Sequence, residues 1–154
     1  MWFVNEAMRA WHEEVYPRLV GKTRVVTNGY DEAALQGVTP PHPHDGHVRF
    51  GYLGTLTAAV PLRETLEGYR AAGRRDASVA DSTFEFVGYL GFYPTPDERL
   101  RQRILEHASD GVWWSGALPK TEVGTAYERM DALVLTFGGT RYVTSGKVFE
   151  YMAT

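Results

Sequence analysis

The sequence predicts an α/β fold of three layers, with helices on both faces of a mainly parallel sheet of about four or five strands. Three observations predict it. From His47 onward, strand-patterned and helix-patterned segments alternate at a spacing that calls for right-handed crossovers between parallel strands. Glycines mark the ends of the strand segments, at Gly54, Gly88 and Gly138. Finally, 154 residues with 44% hydrophobic and 23% charged residues supply one folded core by length and composition.

The elements follow in chain order. Val4, Met8, Trp11 and Val15 recur at spacings of four, three and four, which predicts a helix from about Asn5 to Tyr16 ended by Pro17. Arg24-Val-Val-Thr27 is a short strand before Asn28-Gly29, a turn signal. Residues 36–46 hold three Pro, two Gly and two His and read as a linker. The expected division is therefore 1–35, linker 36–46, and a domain over 47–154. Within that domain the expected strands are Val48–Leu53, Phe84–Leu90, Val112–Gly116 and Ala132–Phe137. The expected helices are Pro61–Ala72, Pro96–Ala108, Thr121–Met130 with Ala126, Tyr127 and Met130 inward, and Thr144–Met152. Trp113 and Trp114 are neighbours on one strand and must face opposite ways.

The bulk numbers exclude several classes. A net charge of −3 argues against a nucleic-acid partner held by bulk charge. The chain has no Cys, which excludes disulfides and thiolate metal sites and fits a reducing, cytoplasmic setting. No run of about 18 apolar residues spans a membrane. The N-terminus has no basic segment of the signal-peptide kind.

Ligands of open parallel sheets bind beyond the carboxyl ends of the strands, and three segments fall there. In the first, Gly54-Thr55, a glycine lets a phosphate approach backbone N–H groups; the alternative is a tight turn. The second is Thr144-Ser145-Gly146-Lys147. There a hydroxyl caps the last helix, whose free N–H groups and dipole favour an anion, with Lys147 and Arg141 adding charge; the alternative is an ordinary cap. The third is Glu150, about one turn further on, which can accept two hydrogen bonds from a ribose diol or form a surface ion pair with Lys147. His42, His44, Asp45 and His47 could ligate a divalent ion, but the intervening prolines and the spacing match no closed site, so a solvated linker is expected and no metal.

These segments, in this order, resemble the C-terminal half of GT-B glycosyltransferases of the retaining family 4, often called group 1. The residues that carry the resemblance are Arg24-Val-Val-Thr-Asn-Gly-Tyr-Asp31, Phe50-Gly-Tyr-Leu-Gly-Thr-Leu56 and Phe86-Val-Gly88. Val112-Trp-Trp-Ser-Gly116, Asp131-Ala-Leu-Val-Leu135 and Ser145-Gly-Lys-Val-Phe-Glu-Tyr151 continue it. The resemblance implies a Rossmann-like domain holding a UDP- or GDP-sugar as donor, with no metal or other cofactor. It gives the ribose to Glu150, the diphosphate to the backbone near Thr144, Ser145 and Gly146 and to the Gly54-Thr55 loop, and the nucleobase to residues around Ser115 to Leu118. Two positions depart from the family pattern: Tyr142 stands where many members carry a sugar-binding Glu, and residues 55–62 hold no basic residue, Arg63 being the nearest.

The same resemblance implies a piece of a longer enzyme. Residues 2–29 match only the last helix and strand of an acceptor-binding N-terminal domain, and the final strand and helices of the C-terminal half have no counterpart. The catalytic residues are thus unknown, weak donor binding without transfer is expected of the chain alone, and membrane-surface association is expected only through the parent enzyme. A second reading is a binding or self-association module, a homodimer through residues 2–19, because Trp2, Phe3, Met8 and Trp11 would lack a covering domain. A nucleotide-dependent epimerase or dehydrogenase is disfavoured, since Gly51-Tyr-Leu-Gly54 lacks the Gly-x-Gly-x-x-Gly spacing.

Overall fold

The computed structural model of the chain describes residues 1–39, 46–92, 95–139, 142 and 144–154. In order, the elements are β1 (Trp2–Phe3), α1 (Glu6–Val15), β2 (Arg24–Val25), α2 (Glu32–Leu35), β3 (Arg49–Leu53), α3 (Leu62–Gly73), α4 (Ala77–Ala80), β4 (Thr83–Val87), α5 (Glu98–Leu105), β5 (Val112–Gly116), α6 (Val123–Glu128), β6 (Ala132–Leu133) and α7 (Lys147–Ala153). They gather into two compact units: Met1–Glu32 with Gly139–Ala153, and Ala33–Gly138 with Thr154.

The larger unit is the expected α/β/α sandwich. Its four strands are all parallel, in the order β5-β4-β3-β6. One face carries Tyr52, Phe84, Phe86 and Val112, packed against Leu62 and Leu66 of α3 and Leu100 and Ile104 of α5. Phe84 and Phe86 stack at 4.5 Å, and each contributes roughly 2–3 kcal/mol by burial. The opposite face is covered by α6 and the residues after it: Ala126, Tyr127 and Met130 are buried, as their spacing predicts. A Cβ on Gly51 would lie 1.8 Å from the Met130 sulfur, so this position must stay bare for Met130 to lie flat on the sheet. Trp114 faces the core and its indole donates to the Gly88 carbonyl at 2.8 Å, whereas Trp113 is 42% exposed on the other face.

Most helices are shorter than their patterns suggest, for readable reasons. Asp97 caps α5 through the N–H groups of Arg99 and Leu100, so the helix begins two residues after Pro96. Pro61 stands at the N-cap of α3 rather than inside its first turn. The short helix α4, capped by Asp76, was not visible from periodicity because one turn has no period. Strand β6 keeps only two residues of the predicted six.

The smaller unit differs from its expected plan. Trp2 and Phe3 form a strand ahead of the helix. They pair in parallel with Arg24 and Val25, making β1-α1-β2 a small crossover unit. Helix α1 turns Met8 and His12 inward, the imidazole lying 4.5 Å from the Phe3 ring, while Trp11 and Val15 stay exposed. Buried Thr23 donates its hydroxyl to Glu13. Asn28-Gly29 makes no turn; the Asn28 amide donates to the Thr144 carbonyl at 2.8 Å instead.

Candidate functional site

In the larger unit the chain runs β3 to β4 to β5 in one direction across the sheet and then returns to place β6 on the far side of β3. The reversal makes the carboxyl ends of β3 and β6 the topological switch point, the place where open parallel sheets bind ligands. Gly54 and Thr55 stand there, directly after β3. Gly54 has φ 140°, which only glycine adopts without strain. Its own N–H is already used, donating to the Val87 carbonyl at 2.7 Å. The pairing with the β4 chain continues past the strand: Leu56 donates to Tyr89 at 2.9 Å and accepts from Gly91 at 2.7 Å. On the other side of β3 the ladder stops at Gly51–Leu133, with Val134 donating to Gly51.

The alternation of an extended chain then decides which groups are available. Residues 54 and 56 point their N–H groups toward β4. Thr55 and Thr57 point theirs toward the β6 side, where the ladder has ended, and neither N–H has a partner among the described residues. Of the expected pair Gly54 and Thr55, the N–H of Gly54 is taken and that of Thr55 is not, among the described residues. Gly54 shapes the loop, and Thr55 and Thr57 supply donors. The exit from β6 passes close by, since a Cβ on Gly138 would sit 1.9 Å from the Ala59 carbonyl oxygen.

The other expected site residues lie on the smaller unit, gathered at the start of α7. Thr144 is not the cap. Its hydroxyl accepts from the Asn5 amide at 2.9 Å, and the same amide donates to the Tyr142 carbonyl at 2.7 Å. Asn5 also caps α1, accepting from the Met8 N–H at 2.7 Å, so one side chain both starts a helix and holds the tail. Tyr142, at φ 71°, is the non-glycine residue in the left-handed region among those described. Ser145 is the residue whose hydroxyl receives an α7 N–H, that of Lys147, at 3.3 Å. Val148 donates to the Ser145 carbonyl, and Phe149 and Glu150 donate to that of Gly146. The first turn thus turns most of its donors inward. Burial lowers the pKa of the Lys147 ammonium, and the nearby Glu150 charge opposes that shift. Arg141, and His42, His44 and Asp45 of the metal hypothesis, lie outside the described residues; His47 places Nδ1 3.0 Å from the Asp81 carbonyl.

One cluster went unnoticed in the sequence. Glu85 of β4, buried on the α6 face, takes a bidentate pair from Arg129, Nε at 2.9 Å and Nη2 at 2.8 Å. It also accepts from the Ser115 hydroxyl. Burial pushes its carboxyl pKa up, but the Arg129 hydrogen bonds, Ser115, the Arg129 charge and Trp113 together bring it below the ordinary range. The signal was available: a Glu between two Phe in a strand must be buried and needs a cation. Ser115, expected beside a nucleobase, is engaged here.

No protein-family model matches the chain, and no curated protein matches it. Among the described residues, no helix is long and apolar enough to cross a membrane.

Proposed function

We propose that the chain is the nucleotide-sugar-binding part of a retaining glycosyltransferase, taking a UDP- or GDP-sugar as donor in the cytoplasm. The observation that carries the proposal is the switch point, where Thr55 and Thr57 offer two N–H groups without a partner among the described residues, beside a glycine-shaped turn. Backbone donors of this kind stabilise the charge that builds on a departing nucleoside diphosphate, and they do so without reorganising. The sequence resemblance supports the same donor class. Taken by itself, the resemblance assigns donor contacts to Ser145, Gly146 and Lys147 and the ribose to Glu150, all on the smaller unit.

Calorimetric titration of UDP and GDP into the chain and into a Glu150→Ala variant tests the ribose assignment. Weaker binding by the variant is expected, and equal binding by both removes Glu150 from the site. The second reading, self-association through residues 2–19, is favoured by Trp2 at 78% exposure and Trp11 at 44%. Light scattering at high protein concentration separates the two: a dimer supports self-association, and a monomer removes it while leaving donor binding untouched.

A further inference from the structure

A cavity of about 390 Å³ opens at the end of the sheet opposite the switch point, at the amino ends of β4 and β5. Its walls come from the last turns of α3, the end of α4 and the turn before β5. We propose that it binds a neutral polyhydroxylated ligand, a single sugar ring of the hexose kind. Nothing in the donor-binding reading uses this cavity.

Charge argues first for a neutral ligand. Arg70 and Arg74 are matched by Asp81 and Asp110, so the lining has no net charge. Helices α3 and α4 both end here, and their carbonyl ends disfavour an anion. The volume is at the low end of ligand pockets, which suits one ring better than a nucleotide.

Hydrogen-bond bookkeeping then selects hydroxyls. Ser82 donates its hydroxyl to the Val79 carbonyl at 2.5 Å, so at 2.8 Å from the Tyr69 oxygen it must be the acceptor. Tyr69 therefore donates to Ser82 and keeps an acceptor lone pair for a ligand. Burial raises the Tyr69 pKa, the Ser82 bond opposes this and the Asp110 charge adds to it, so the phenol stays protonated. Arg70 uses Nε on Asp110 Oδ2 at 3.0 Å, and the same oxygen lies 3.0 Å from His107 Nδ1. The terminal N–H groups of Arg70 and the second oxygen of Asp110 have no partners among the described residues. A donor ion-paired to its neighbouring acceptor, with a phenol oxygen nearby, matches the vicinal hydroxyls of a sugar, each of which can donate and accept.

The test is an amide NMR titration of the full chain with methyl α-D-glucopyranoside, methyl α-D-mannopyranoside and myo-inositol. Each is taken to about 100 mM, where a ligand of about 10 mM affinity is near saturation. Inorganic phosphate is titrated in parallel. The proposal expects one of the three polyols to move the amides of Ser82, Asp110 and Gly111. It expects Tyr69→Phe and Arg70→Gln, which leave the packing in place, to weaken that binding by roughly three- to tenfold each. Silence with all three polyols overturns it, as does an equal response to phosphate, or variants that bind as the parent does.

Discussion

Two stretches of this chain carry Phe, Gly and Leu at the same spacing. Phe50-Gly-Tyr-Leu-Gly-Thr-Leu56 and Phe84-Glu-Phe-Val-Gly-Tyr-Leu90 lie side by side in register, Phe50 against Phe84 and Leu53 against Val87. Both glycines take the same backbone, φ 140° at Gly54 and 136° at Gly88, and both final leucines are buried and bridged to each other. Their roles nevertheless diverge. In the second segment the carbonyls of Gly88, Tyr89 and Leu90 receive bonds from the Trp114 indole, Leu56 and Asp97, and Gly88 donates to Gly116. The first segment has a continuing neighbour on only one side; among the described residues the N–H groups of Thr55 and of its counterpart Tyr89 have no partner, but Gly91 donates to Leu56 whereas its counterpart Thr57 donates to nothing. Local sequence sets the shape of such a loop; the order of strands sets whether its polar groups are free to meet a ligand.

The largest expected effect separates the two glycines. A Cβ on Gly88 would stand 2.2 Å from the Gly54 carbonyl oxygen, a backbone atom that cannot step aside cheaply. Gly88→Ala should cost roughly 3–5 kcal/mol in urea denaturation, combining backbone strain with overpacking. Gly54→Ala should cost less, about 1–3 kcal/mol from its positive φ. Equal costs would mean that the close approach does not matter.

The second effect concerns the register pair Gly51 and Glu85. Arg129→Ala leaves a buried carboxylate without its cation and should cost about 3 kcal/mol. The sign with pH follows from the lowered carboxyl pKa of Glu85. Its contribution is fully present above the ordinary value of 4.5 and is lost as pH falls through the lower folded value. Thermal melts from neutral pH down to the acid range should show this loss in the parent and a shallower slope in Glu85→Gln. A slope unchanged by the substitution would place the acid sensitivity elsewhere.

The smallest effect completes the comparison. Tyr52 is the partner of Phe86, and its hydroxyl reaches the Thr55 carbonyl at a long 3.4 Å. Tyr52→Phe, which makes the first segment more like the second, should shift stability by no more than about 0.5 kcal/mol.

Much of the larger unit was legible in the sequence. The strand and helix order, the inward set Ala126, Tyr127 and Met130, and the opposed tryptophans all rest on local periods, which α3 and the sheet obey. What escaped depends on partners distant in the chain. A two-residue strand such as Trp2–Phe3 has no alternation to detect, and Asn28 finds Thr144 across 116 residues. Glu85 was readable as a misfit among phenylalanines, but its cation, 44 residues away, was not. At the candidate site, the glycine at the strand end could be read directly. Which N–H groups stay free could not, because that follows from β6 ending at Leu133.

On the proposed reading, the switch-point backbone, rather than the glycine itself, meets a nucleoside diphosphate. An amide NMR titration of the chain with UDP and with GDP tests it most directly. One nucleotide should move the Thr55 and Thr57 amides well beyond those of Gly54 and Leu56, which donate to Val87 and Tyr89. Undisturbed Thr55 and Thr57 amides at saturating UDP and GDP would contradict it.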